Sequence, residues 1–401
     1  VLHGFQDERG APLLYDPSGL LRLAAARCGG GIPDDFGAGM ALAQLCAAFE
    51  AVRAGQTAFG KLRTQSILLD SLVKAFRLSA YLRRFPEIRS VELSRPIIIV
   101  APFRTGTTFL HRLLANDPES RWPRFWEVAF PPPAEDRFDP SVRGFSDDTR
   151  MADAKAALRT LDRASPSLGR LHPMRVDLPE ECFGLLETSL MSHSFLFYAD
   201  VPSYLDWLDG RGQDDWRSAY EIYANQLRLL QWCNPGRRWL LKSPVHLWHI
   251  DKLLAAVPSA HLIQLHRDPV AVLRSFCHLL WVHRKMMCKS PTPEAIGRQA
   301  LGYMKMALDR AVATRRGPGM TNVIDLDFDA LTRDPLGCAR TLYRRMGDEL
   351  SAQAEAAMAR WLAEAEPRQP RDDPDLAGFG LDGRDARDVF AAYDGLRADA
   401  T

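Results

Sequence analysis

The sequence predicts an α/β protein of three layers, a central parallel sheet flanked by helices, preceded by an N-terminal helical extension. Three observations point there. Short apolar runs at 97–100, 239–241, 260–265 and 322–326 alternate with longer helical patterns, as when parallel strands are joined by helical crossovers. The first run, Ile97-Ile98-Ile99-Val100, has no polar break, as in a strand buried on both faces. Residues 40–85 carry apolar side chains at helical spacing and no strand pattern.

The elements follow in order. Residues 1–38 are rich in Gly and Pro and read as turns with a short helix at 18–27. Leu42, Leu45, Phe49 and Val52, then Leu69, Leu72, Val73 and Phe76, mark two helices, the second ended by Phe85-Pro86. They read as packing elements that can also line a substrate pocket. The run from Pro96 to Pro118 is the most informative. After Val100 the chain turns tightly through Ala101 to Gly106, then Thr107 and Thr108 open a helix with an apolar stripe at Phe109, Leu110, Leu113 and Leu114. A strand, a turn and a helix N-terminus gather free backbone N–H groups and a positive dipole end around one small volume. Arg104 adds a full charge there and the two Thr hydroxyls add donors, so a cluster of anionic oxygens fits. The unit is P-loop-like, but Ala101 stands where G-x-x-x-x-G-K-[ST] has its first Gly, and Thr107 stands in place of the Lys.

Beyond it, Glu127 lies between Trp126 and Val128. Apolar company raises a carboxyl pKa and suits a general base, and a surface Glu at a helix edge is an equal reading. A helix is expected near 152–164. His172 either faces an acceptor or is an exposed loop residue. Pro179-Glu180-Glu181 reads as the charged first turn of a helix running through Leu190. The aromatic stretch 194–207 is core or the wall of a hydrophobic acceptor site. Lys242 closes the second strand, at the edge where open parallel sheets place ligands, and His246 is a weaker candidate nearby. Arg267-Asp268-Pro269 closes the third strand, with Ser275 about two turns into the next helix. Residues 284–299 read as a basic, Pro-broken loop and helix start over the site. Arg368 and Arg371 read as part of a solvated loop, with closure over a nucleotide phosphate as the alternative.

Composition bounds the function. With 401 residues, the chain forms one large domain with extensions, or two domains. Hydrophobic residues are 46% and charged residues 25%, which suits a soluble protein with a large core. A formal net charge of +1 produces no global field to draw nucleic acid or an anionic membrane, so any positive site is local. Seven scattered Cys without a C-x-x-C pair argue for reduced thiols in a cytoplasmic protein, not for a disulfide framework or a zinc site. No apolar run approaches a membrane span, and the N-terminus lacks the pattern of a signal peptide. No His, Cys or carboxylate cluster has metal-ligand spacing.

Three motifs in order, R-T-G-T-T after one strand, K-S-P after a second and H-R-D-P-V-A-V-L-R-S after a third, resemble the sulfotransferases that use 3′-phosphoadenylyl sulfate (PAPS), in their bacterial-type branch. The resemblance runs from about Ile67 to the C-terminus. It implies that Phe103, Arg104, Thr105, Gly106, Thr107 and Thr108 form the 5′-phosphosulfate loop, and that Arg267 and Ser275 take the 3′-phosphate. It gives Lys242 the sulfuryl or bridging oxygen, with Arg104 beside it, and makes Glu127 the base for the acceptor. Ala101 and Phe103 depart from the family's Gly-x-Pro-Arg start. The implied co-substrate is PAPS with no metal, since a sulfuryl group carries less negative charge than a phosphoryl group. The implied acceptor is the hydroxyl, or less readily the amine, of a partly hydrophobic small molecule, lipid or glycoside. Nucleic acid is not an implied partner. The corresponding organisation is an N-terminal helical extension at 1–90, a catalytic domain at 91–350, and a helical tail at 351–401 packing on that domain. Two other readings remain. A P-loop kinase would use Asp325 or Asp327 to hold Mg²⁺, against which Thr107 argues. A nucleotide-binding protein without catalysis would keep the anion sites alone.

Overall fold

A computed structural model of the 401-residue chain describes residues 14–142, 144–145, 148–171, 173–317, 320, 322–364 and 374–399. Its centre is a five-stranded sheet of β1 (Ile97–Val100), β2 (Ser120–Arg121), β3 (Arg238–Lys242), β4 (His261–His266) and β5 (Val323–Asp327), in the order β2-β3-β1-β4-β5. Every neighbouring pair is parallel, with Ile97 opposite Leu240 and His261, and His266 opposite Asp327. The four longer strands are the predicted ones, each within a residue or two. The edge strand β2 is two residues long and leaves no periodicity to read.

All four residues of β1 are fully buried. Their alternation divides the core into the two outer layers. Ile98 and Val100, with Leu241 and Leu262, face a large cluster that includes Leu42, Phe49, Leu72 and Phe76 of the N-terminal helices. Ile97 and Ile99, with Leu240, Ile263 and Leu326, face the opposite layer of Leu110, Leu113, Leu342 and Met358. The helices α1 (Pro17–Cys28), α2 (Gly39–Val52) and α3 (Ala58–Arg84) thus share the main core instead of forming an appendage. At about 1.5–3 kcal/mol for each fully buried large side chain, their removal would open that layer.

The helices that matter for the site are α4 (Thr107–Leu114), α5 (Gln213–Cys233), α6 (Pro269–Met287) and α7 (Pro293–Arg315). The start of α6 follows from its sequence: Pro269 occupies the first turn and the Asp268 carboxylate accepts the Val270 N–H. Two expectations need correction. The predicted helix from Pro179 through Leu190 is only Phe183–Leu186, followed by a 3-10 turn and by Leu190 at φ +57°. Glu180 and Glu181 therefore precede it and are not its first turn. Residues 284–287 belong to the last turn of α6, not to a loop. In the stretch 194–207, Phe195, Leu196 and Tyr204 are fully buried core, and Phe197 packs on Phe103 of the loop after β1. His172, Arg368 and Arg371 lie outside the described residues.

Candidate active site

The C-terminal ends of three adjacent strands, β3, β1 and β4, bring Lys242, the loop at 101–106 and Arg267 to one edge of the sheet, where open parallel sheets bind ligands, and Glu127 is not among them. After β1 the loop is drawn in by Thr105, whose hydroxyl donates to the Pro102 carbonyl (2.7 Å). Arg104 and Gly106 both take positive φ, +71° and +99°. Gly106 is the N-cap of α4 and provides no side-chain cap, so the first turn keeps backbone N–H donors to offer. A Cβ on Gly106 would stand 2.5 Å from the ring of Phe328, which follows β5. That ring also lies under the Arg267 guanidinium, 4.3 Å away. Phe328 was not legible from sequence, because nothing near it in the chain marks a contact to the loop. A Gly106→Ala variant combines an unfavourable φ with this clash. We expect it to lose about 1–3 kcal/mol of stability, checked by thermal denaturation.

Arg104, Ser275 and Arg267 meet. Arg104 Nε donates to Ser275 Oγ (3.1 Å), its NH1 donates to the Leu171 carbonyl (3.2 Å), and Arg267 NH1 donates to the Arg104 carbonyl (3.1 Å). Arg104 NH2 is buried without a hydrogen-bond partner. The Arg267 guanidinium at the Arg104 carbonyl, together with an Arg104 guanidinium that has an orphaned buried donor, is an arrangement able to take anionic oxygens. Behind Arg267, the imidazole of His266 shares hydrogen bonds with Tyr393 (3.0 Å) and Asp325 (2.8 Å), while Arg315 forks onto the same Asp325. These partners hold the Asp325 carboxyl well below the usual carboxylate range despite its burial. Asp327 caps the helix after β5 by accepting the Asp329 and Ala330 N–H groups (both 2.9 Å). Neither Asp is thus left to hold Mg²⁺ in the manner of a kinase. Among the described residues no three His, Cys, Asp or Glu are grouped to hold a metal ion.

Lys242 is 2% exposed at the end of β3. Its ammonium forms a very short ion pair with Glu181 and donates to Thr108 Oγ1 (3.5 Å). Glu181 is brought there by long-range docking: Arg124 bridges to Pro179, Glu180 N donates to the Pro123 carbonyl, and Cys182 N donates to the Lys242 carbonyl (3.0 Å). Sequence reasoning passed over Glu181 because Pro-Glu-Glu carries the same local signature as a helix start. Glu127 is held differently. Its carboxylate accepts the Arg124 N–H (2.8 Å) at the start of its own short helix and lies 3.5 Å from Arg121. Arg121 in turn donates to the Leu230 and Asn234 carbonyls at the end of α5. That end leads into the beginning of β3, whereas Lys242 closes the strand.

His246 is fully buried behind Lys242, between the Cys182 thiol (3.5 Å) and the Tyr220 hydroxyl (3.1 Å). Burial pushes its pKa down to about 3, as it does for His111, beneath the Leu240 carbonyl, and for His193. All three are neutral in the fold, while in the unfolded chain they titrate near 6.5. Their contribution to stability is fully present above that value and is lost as pH falls from about 6.5 toward 3. Three such groups cost on the order of 3–4 kcal/mol between about pH 6 and about pH 5. Urea midpoints measured across that interval should drop steeply, and a flat profile would show that these imidazoles are not neutral in the folded protein.

The sequence profile of a sulfotransferase family matches residues 96–352, well over half of the chain. The chain belongs to that family. Two curated relatives, both named omega-hydroxy-beta-dihydromenaquinone-9 sulfotransferase Stf3, from Mycobacterium bovis and Mycobacterium tuberculosis, are each 25% identical over 297 residues, or 72% of this chain and 71% of the relative. The crystal structure of the sulfotransferase STF1 from Mycobacterium tuberculosis H37Rv is 30% identical and superposes with a TM-score of 0.76, covering 93% of this chain and 98% of that one. That of STF9 from Mycobacterium avium is 26% identical with a TM-score of 0.81, covering 94% and 96%. This sulfotransferase moves the sulfuryl group of PAPS to an acceptor hydroxyl. The family implies PAPS as co-substrate and a small-molecule acceptor. The sulfotransferase has no helix among the described residues that is long and apolar enough to cross a membrane.

Proposed function

We propose that the sulfotransferase sulfates the hydroxyl of a lipophilic small molecule, with Arg104, Arg267 and Ser275 holding the nucleotide and Lys242 and Glu181 serving the transferred group. The observation that carries this reading is the convergence of Arg104, Ser275 and Arg267 next to the Lys242–Glu181 pair at one sheet edge. PAPS supplies an activated sulfuryl group on a 5′-phosphate. Arg104, Thr107, Thr108 and the loop N–H groups surround that phosphosulfate, with Phe103 and Thr105 shaping the loop. Arg267 forks onto the 3′-phosphate, and Ser275, now bonded to Arg104, donates to the same group.

In the transfer step the acceptor oxygen bonds to sulfur, the bond from sulfur to the 5′-phosphate oxygen breaks, and its electron pair leaves on that phosphate. Arg104 and Lys242 stabilise the charge that develops there. The acceptor proton passes to a carboxylate. Sequence favours Glu127 for this task, but the pairing with Lys242 favours Glu181. When the Lys242 ammonium turns from Glu181 to the sulfuryl oxygens, the carboxylate is released as a base beside the reacting atoms.

An apolar acceptor is supported by the wall next to the loop. Phe103 stacks on Phe276 (5.2 Å between centroids), Phe197 meets Phe103 edge-on (5.1 Å), and His283 lies 4.9 Å from Phe197. The Mycobacterium relatives act, by name, on a menaquinone derivative. A reducing, cytoplasmic setting is part of the same reading, supported by seven cysteines that are all free thiols. The test is incubation with PAPS and a panel of hydroxylated isoprenoids, sterols, phenols and sugars, read by mass spectrometry for a gain of SO₃. Selective sulfation of the apolar members is expected, and sulfation confined to sugars would contradict the acceptor class.

A further inference from the structure

Arg284, in the last turn of α6, is 2% exposed and incompletely satisfied. Its NH2 donates to Gln299 Oε1 (3.2 Å), while its Nε and NH1 are buried with no hydrogen-bond partner. A buried donor left unpaired is costly, more so on a charged group, so two on one guanidinium call for an explanation. The side chain borders a cavity of about 390 Å³, in the size range of small-molecule sites. Asp200 borders the same cavity without reaching Arg284 in an ion pair, and burial pushes its carboxyl up. Lys289, at the rim, is already committed to the Ala54 carbonyl (2.8 Å). The rest of the lining is largely apolar, with Val52, Pro291, Ala295 and Ile296.

The cavity is built, not a gap between loosely packed parts. One wall comes from the N-terminal extension, which is sewn to the end of α6. Thr57 N donates to the Met287 carbonyl (2.9 Å), Thr57 Oγ1 donates to the Met286 carbonyl (2.9 Å), and Lys289 N donates to the Gly55 carbonyl (2.8 Å). Gln56 forms an antiparallel bridge with Cys288. The opposite wall is the first turn of α7, whose Thr292 caps Ala295 N. None of the lining residues belongs to the loop at 101–106, and Lys242, Arg267 and Ser275 do not border the cavity.

We propose that this cavity is a second binding site, for a small organic carboxylate, distinct from the phosphosulfate site and anchored by Arg284. A single negative charge matches one guanidinium, and the vacant Nε and NH1 donors take its oxygens. A dianion such as a phosphate monoester would meet Asp200. The hydrocarbon part of the ligand replaces water against Val52, Pro291 and Ile296. The inference deepens the sulfotransferase reading but does not depend on which carboxylate serves as base. It gives the N-terminal helices a role in ligand binding.

The test is a calorimetric titration of the full chain with benzoate and hexanoate, with adenosine 3′,5′-bisphosphate present at saturation so that the phosphosulfate site cannot contribute. Saturable one-to-one binding is expected. It should weaken at least tenfold in Arg284→Met and in Ala295→Leu, which fills the cavity without touching the guanidinium, and tighten several-fold in Asp200→Asn. Inorganic phosphate should compete poorly. Ala295→Leu keeps the test decisive if Arg284→Met fails to fold. Absence of binding, or binding indifferent to Ala295→Leu and Asp200→Asn, would overturn the proposal. Loss of bisphosphate binding in the unmodified protein is a separate outcome that contradicts the nucleotide site instead.

Discussion

Replacing Arg104 by Ala should lower kcat/KM by about 10³, or about 4 kcal/mol of transition-state stabilisation. The size of the effect follows from where the guanidinium is fixed. Its Nε is anchored on Ser275 and its NH1 on the Leu171 carbonyl, leaving the buried NH2 directed without a partner. The group is thus oriented before any ligand arrives, and a preorganised donor needs no rearrangement as charge develops on the leaving phosphate. Truncation removes the charge and also unties Ser275, so nucleotide affinity falls with the rate. An Arg104→Lys variant separates these contributions. It keeps a positive charge but cannot span Ser275 and Leu171 together, and we expect it to recover only about tenfold of the loss. Full recovery by Lys would mean that charge alone matters and that the fork geometry is incidental.

Glu181→Gln should lower kcat by about 10²–10³ while changing the affinity for adenosine 3′,5′-bisphosphate less than about threefold. A base acts on the chemical step, so the loss belongs in kcat. Glu127→Gln offers the contrast. Its carboxylate caps a short helix and compensates Arg121, whose guanidinium lies 3.9 Å from the centre of the Trp239 ring. Its loss should cost about 1 kcal/mol of stability and leave kcat within a few-fold of the parent enzyme. If Glu127→Gln abolishes turnover while Glu181→Gln does not, the proton goes to Glu127 and Glu181 merely positions Lys242.

The difference between these two acids also shows what the sequence could reveal. Arg104 and Lys242 were readable because one lies in the turn after an apolar run and the other closes one, and the C-terminal end of a parallel strand is a ligand position whatever the rest of the chain does, whereas Arg267 read alone as an ordinary turn and was singled out by the motif around it. Ser275 was singled out only by the resemblance of H-R-D-P-V-A-V-L-R-S to a family motif, and the structure places it on α6 beside Arg104. Glu181 was not readable, since its place depends on residues 179–182 docking against both Pro123 and Lys242. Phe328 and Arg284 share that difficulty. The ring meets Gly106 only once β5 is in register, and a helical pattern does not reveal which of several basic residues at the end of α6 will be enclosed. The sheet was legible for its long strands, each a contiguous apolar run. The N-terminal helices were legible as helices, but not as a wall of the main core, because a one-sided apolar stripe does not name its partner.

The most direct measurement is a metal-free calorimetric titration with adenosine 3′,5′-bisphosphate, repeated with ATP and Mg²⁺ and in the Arg267→Ala variant. The account predicts tight binding of the bisphosphate without metal, weakened at least about thirtyfold, or about 2 kcal/mol, by loss of the Arg267 fork. Binding of ATP only with Mg²⁺, with no response to the bisphosphate, would contradict the site built from Arg104, Ser275 and Arg267.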